Sequence, residues 1–275
     1  MNNTFDWNRF CKVVNKDFRN LWPMFGTTMI VLASLPFAIW LLFTVIGGSG
    51  MTVAPEVRVG MLMFFASLAG IMLPSRLYRT MNLRNEGIYF AMLPASKLEK
   101  FLSIMLFSFI VAPVCVYLGS LVLDIILRLM PAGPYHDWIW NSTLGFPLLT
   151  VVPMDEDFLP GFHSWILTAV TWTSMFNSTA LFLFAATLFK KHKVLYTFLI
   201  LYAIEFVLTI IAIPIFVALA QSPDFMEWLY DTFRDRFSSP EKMMNTIMAV
   251  TMVFNIIVTV LFTWLSWRRL KKMPY

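Results

Sequence analysis

The chain has 275 residues, 59% of them hydrophobic and only 13% charged, and its mean hydropathy is +0.70. A water-soluble domain carries about 25% charged residues, so this composition excludes an ordinary soluble globule and points to an all-α, polytopic membrane protein. The net charge of +5 does not imply nucleic-acid binding, because the basic residues gather beside the apolar runs rather than on a patch of their own.

Read in chain order, residues 1–23 predict an amphipathic interfacial helix. Trp7, Phe10, Cys11, Val14, Phe18, Leu21 and Trp22 fall on one face at helical spacing, with Arg9, Lys12, Lys16 and Arg19 on the other. Such a helix lies in the headgroup plane, its basic residues toward anionic lipid. A bilayer core of about 30 Å needs about 20 apolar residues per helix. Six runs qualify as spans: 24–46, 59–75, 101–123, 164–189, 194–220 and 243–267. The second is short and bounded by Arg58 and Arg76, which are expected to snorkel. Pro36, Pro74, Pro113 and Pro214 inside these runs read as kinks. No cleavable signal is expected, since the first apolar run is too long for one and follows a charged segment.

Lys and Arg placement sets the orientation. Of the 21 basic residues, 16 fall in the N-terminal segment, the 76–100 loop, the cluster Lys190, Lys191 and Lys193, and the C-terminal tail. Both termini are therefore expected in the cytoplasm, with external loops at 124–163 and 221–242. The uncharged stretch 138–154 is expected to lie on or dip into the outer interface, because a span there would invert everything after it. Asp124 is expected to pair with Arg128 at i+4. Between spans five and six, Phe225, Trp228, Leu229, Phe233 and Phe237 form a second amphipathic stretch, either a lid or an interfacial loop. Ser239 and Pro240 then mark the start of the last helix.

The 76–100 loop carries more structure than a linker needs. Pro94 breaks one helix, and Ser96 with Glu99 forms an S-x-x-E capping box that starts the third span. A charged helix–break–helix on the cytoplasmic face reads as a docking surface. Arg84, Glu86, Gly87, Leu93, Pro94, Ala95, Ser96, Lys97, Glu99 and Lys100, together with the six spans and the amphipathic N-terminus, resemble the ABC-2 type exporter permease family. That resemblance implies a transmembrane subunit driven by a separate ABC ATPase, as a homodimer or paired with a second permease, in the cytoplasmic membrane of a bacterium. Arg84, Glu86, Gly87, Leu93, Pro94, Ser96 and Lys97 would form the partner-docking loop. The external segment 129–163 is longer than a minimal member of that family has. No glycine precedes a lysine, so the chain has no P-loop, and ATP hydrolysis would come from the partner. The chain itself is not expected to be an enzyme or to hold a cofactor.

Polar residues inside the spans are candidates for function. Glu205 is the one acid deep in a span, either a relay or substrate contact or a structural hydrogen-bond partner of Tyr202 or Thr209. Thr251, Asn255, Thr259 and Thr263 form a stripe on span six, and Thr173, Ser174, Asn177 and Ser178 a patch on span four. Such residues join helices or line a path for a polar or amphipathic substrate. Gly47–Gly50 superficially matches the motif of an intramembrane serine protease, but no span carries a histidine base, and a helix stop is the better reading. Cys11 and Cys115, the scattered His136, His163 and His192, and the acids Asp155, Glu156 and Asp157 have no metal-ligand spacing. A stand-alone module, whether an immunity or assembly factor or an ion-coupled carrier, is the alternative. In a carrier Glu205 would be indispensable.

Overall fold

The computed structural model describes residues 5–47, 52–82, 95–130, 133–139, 164–189, 192–223, 225, 227, 231 and 240–272, and everything regular among them is helical. The elements are α1 (Trp7–Gly47), α2 (Pro55–Asn82), α3 (Lys97–Met105), a π-helical turn (Leu106–Val111), α4 (Ala112–Arg128), α5 (Ser164–Leu188), α6 (Lys193–Ala220) and α7 (Pro240–Lys272). Five stretches are long and apolar enough to cross a membrane: Gly26–Ile46, Val57–Ser75, Lys97–Arg128, Lys193–Leu219 and Lys242–Lys272. This is the architecture of a multi-pass membrane protein. Among the described residues helix α5 is not one of these five.

The N-terminal amphipathic segment and the first span are one helix. The helix runs unbroken through Pro23 for 41 residues, about 60 Å at 1.5 Å per residue. That is twice the hydrocarbon thickness, so its first turns extend past the apolar stretch that begins at Gly26. The aromatic face is outward, with Trp7, Phe18 and Trp22 exposed, while Val13 on another face is buried.

Lys97–Arg128 is continuous but changes pitch. The N–H of Ala112 bonds to the carbonyl of Phe107, five residues back, just before Pro113. Proline offers no N–H and crowds the carbonyl four residues earlier. A widened turn relieves that crowding. Helix α2 lies between α4 and α5 and also touches α1, while α5 packs most extensively against α7. The main core joins Leu32, Leu73, Phe107, Val116, Leu183 and Leu270 from α1, α2, the π turn, α4, α5 and α7. Close approach is built in at Gly70, where a Cβ would stand 2.5 Å from Thr179 Oγ1 of α5. Helix α6 differs from the rest. The Phe182 and Phe198 rings meet at 5.0 Å, tilted by 60°, near its start, but from Tyr202 to Leu219 its described side chains are exposed.

Candidate functional site

Four segments meet at one end of the bundle. The capping box expected at Ser96 is present: Ser96 Oγ accepts from Glu99 N at 3.2 Å, and Glu99 Oε2 accepts from Ser96 N at 2.8 Å. The other carboxylate oxygen of Glu99 reaches the start of α1, accepting from the Asp6 backbone N–H at 2.9 Å and from Arg9 Nη2 at 3.1 Å. One turn along, Ser103 Oγ donates to Asp17 Oδ2 at 2.7 Å. Burial pushes the Asp17 carboxyl above its ordinary range, against that hydrogen bond and the nearby Lys16 and Lys100. On the other flank Lys97 Nζ donates to the Lys271 carbonyl at 3.0 Å, and Arg269 Nε to the Thr187 carbonyl at 3.1 Å. The residues that close the 76–100 loop are thus tied to both terminal helices. Ser96 and Lys97 belong to this joint. Arg84, Glu86, Gly87, Leu93 and Pro94 lie outside the described residues.

In the middle of the bundle a groove of about 410 Å³ opens between α2 and α5. Gly60, Met63, Phe64 and Ser67 of α2 form one wall, spaced as one helical face. Thr171, Trp172, Ser174, Met175 and Ser178 of α5 contribute to the other. Behind it, Asn177 Nδ2 donates to Asn255 Oδ1 at 3.2 Å, and Asn255 Nδ2 donates to Ser174 Oγ at 2.9 Å. Of the two predicted polar patches, only these residues bridge helices by hydrogen bonds seen among the described residues. Thr251 and Thr259 bond to carbonyls of Ile247 and Asn255 in their own helix, as Thr173 does to Ala169 and Ser178 to Ser174. The span-six stripe is therefore not one interface: Asn255 is buried while Thr251 is exposed.

The opposite end holds an ion pair that sequence spacing misassigns. Asp124 pairs not with Arg128 but with Arg58 of α2: Arg58 Nε donates to Asp124 Oδ1 at 2.9 Å and Nη2 to Oδ2, in a two-pronged fork. Arg58 Nη1 donates to the Asp137 carbonyl at 2.7 Å, and its guanidinium lies 4.3 Å from the Tyr135 ring centre. Both partners are almost fully buried, so Arg58 does not snorkel. Arg128 instead stacks over Trp138 at 4.7 Å. Burial, reinforced by the Asp124 carboxylate and partly offset by Arg58, pushes the Tyr135 phenol up to about 12. The available signal was an arginine and an aspartate at the edges of two apolar runs, where neither charge is stable alone.

Glu205 stands on the exposed face of α6. Thr209 donates to its backbone carbonyl at 2.8 Å, and its carboxylate has no hydrogen bond or ion pair among the described residues. Cys11 and Cys115 are free. His136 is exposed, and His192 takes a left-handed backbone (φ 46°) ahead of α6. His163 and Asp155–Asp157 lie outside the described residues, as do Phe233 and Phe237 of the second amphipathic stretch. Among the described residues no group of His, Cys, Asp and Glu could hold a metal ion. No protein-family model, curated protein or solved structure matches the chain.

Proposed function

We infer that the chain is the transmembrane permease subunit of an ATP-driven exporter of the ABC-2 type, working with a separate ABC ATPase in a bacterial cytoplasmic membrane. In this reading six helices cross the membrane, with α5 as the sixth, and both termini are cytoplasmic. Helix α5 has 25 residues and no charge, long enough at about 37 Å. Its Ser174 and Asn177 are joined to Asn255 of α7, and Ser174 and Ser178 line the groove against α2. Two copies, or one copy and a second permease, would form the transporter.

The observation that carries this reading is the joint around Glu99. A push on the 76–100 loop is delivered to the start of α3, and from there to α1 through Arg9 and Asp17 and to α7 through the Lys271 carbonyl. That is the mechanical requirement for coupling hydrolysis in a docked partner to helices that enclose a path. The basic residues at the same end match the cytoplasmic side by the charge rule.

The test is purification of the tagged full chain in mild detergent with its partners identified. A stoichiometric P-loop ATPase, lost with Glu86→Arg or Gly87→Pro while membrane insertion persists, is the expected result. Normal stimulation of the partner ATPase in both variants would remove the docking assignment. A preparation without an ATPase, under conditions that hold other membrane complexes together, would favour an ion-coupled carrier. The specific observation behind that second reading is the exposed Glu205 carboxyl in the middle of a long apolar helix.

A further inference from the structure

We propose that the groove between α2 and α5 is a binding site for an uncharged amphipath, a single-chain lipid whose head bears hydroxyl or amide groups. Among the described residues no Asp, Glu, Lys or Arg lines it, and all four α2 residues lie in the apolar stretch Val57–Ser75. An ionic head would enter unpaired, which low-dielectric surroundings penalise heavily. The hydroxyls are not equivalent. Ser67 and Ser178 already donate to the carbonyls of Phe64 and Ser174, at 2.7 and 3.0 Å, so they face a ligand as acceptors. Ser174 is the reverse: Asn255 donates to its oxygen, and no described residue takes its proton. Among these three serines the groove therefore offers two acceptors and one donor, which a hydroxyl or amide satisfies together. Met63, Phe64, Trp172 and Met175 supply a pliable apolar and aromatic wall. The volume of about 410 Å³ is within the range of small-ligand sites.

Gly60 supplies the clean perturbation, because a Cβ there meets no atom within 4 Å and projects into open space. Gly60→Leu therefore introduces side-chain bulk at the groove wall from a Cβ position that is itself open. The site is independent of whether the chain works with an ATPase or alone.

The probe is 1-(9,10-dibromostearoyl)glycerol, whose bromines quench a nearby indole, titrated into the full chain in detergent micelles. The Trp172 signal is isolated by subtracting a Trp172→Phe variant. The corresponding glycerol phosphate is the charged control. Saturable quenching by the glycerol ester and only background from the phosphate is expected. Apparent affinity should fall at least about tenfold in Gly60→Leu, and roughly threefold to tenfold in Ser174→Ala, the range of one lost hydrogen bond. Should Gly60→Leu fail to elute as a monodisperse species, Ser67→Ala provides the second reading with the same expected direction. Equal quenching by the phosphate, non-saturating quenching from micelle partition alone, or wild-type affinity in a folded Gly60→Leu would each overturn the proposal.

Discussion

Asp124→Asn tests the buried fork between α2 and α4. The substitution keeps the side-chain volume but removes the negative charge and one acceptor from the buried Arg58 guanidinium, 1% exposed, leaving it the amide oxygen, the Asp137 carbonyl and the Tyr135 ring. Removing one member of a buried pair costs about 3–5 kcal/mol, whereas replacing both by apolar residues is often neutral or better. At roughly 2–4 °C per kcal/mol for a chain of this size, Asp124→Asn should lower the midpoint of unfolding by roughly 6–20 °C. The double variant Arg58→Leu/Asp124→Leu should recover most of that loss. Thermal unfolding in one fixed detergent, read by tryptophan fluorescence, gives the coupling energy from the cycle, expected above about 2 kcal/mol. The parallel cycle of Asp124 with Arg128 should show no coupling, since Arg128 stacks on Trp138. A double variant as unstable as Asp124→Asn, or strong coupling to Arg128, would refute the assignment of the pair.

Three further outcomes follow from named contacts. Gly70→Ala should destabilise by about 1–3 kcal/mol through overpacking, because the added Cβ stands 2.5 Å from Thr179 Oγ1. Thr179→Ala in the same chain should restore stability, and a neutral Gly70→Ala would deny the close approach of α2 and α5. Asn255→Leu should cost about 0.6–1.7 kcal/mol, the range for interhelical bonds in membranes. Thr251→Val should stay within about 0.5 kcal/mol, and equal losses in chemical unfolding would contradict the bonding described. Asp17 has a raised folded pKa, so the folded state holds more protons than the unfolded one just above the ordinary value of 3.8. Stability then falls as pH rises through that window. Asp17→Asn should abolish the fall, and an unchanged slope of unfolding free energy against pH would show the carboxyl to be solvated.

The helices were legible because length and apolarity are local properties. The Ser96–Glu99 box and the start of α7 at Pro240 were readable for the same reason: each depends on residues within one turn. Which charges meet was not local. Arg58 and Asp124 are 66 positions apart, and the i+4 rule pointed to the nearer Arg128, whose side chain is held by Trp138. The joint at Glu99 was half readable. Its cap to Ser96 follows from spacing, but its bonds to Asp6 and Arg9 span 93 and 90 positions and depend on α1 folding back along α3. The boundary expected between the interfacial segment 1–23 and the span 24–46 is absent, since one helix runs through Pro23. Proline removes one donor from a helix, yet α1 continues through it, as helices in membranes do when neighbours stabilise them.

The contrast between α5 and α6 shows how a membrane inverts the usual use of hydrophobicity. In water the most apolar helix belongs at the centre. Here α6, apolar apart from Glu205, Thr209 and the Tyr202 hydroxyl over Tyr202–Leu219, is exposed along that length in its described side chains, while α5, rich in Ser and Thr, packs between α2 and α7. Lipid accepts the first without cost but cannot satisfy the second. Asn177 and Ser174 find Asn255 only because α5 is enclosed, and the hydroxyls left over face the groove. The residues that lower the hydropathy of α5 are thus the ones that place it at the centre and give the bundle a polar lining. Glu205 stands where that logic fails, a carboxyl on the lipid-accepting helix. Glu205→Leu should therefore leave thermal stability unchanged or raised. Under the proposed function, loss of transport in that variant with a partner ATPase still bound would assign the carboxyl a part in moving the cargo.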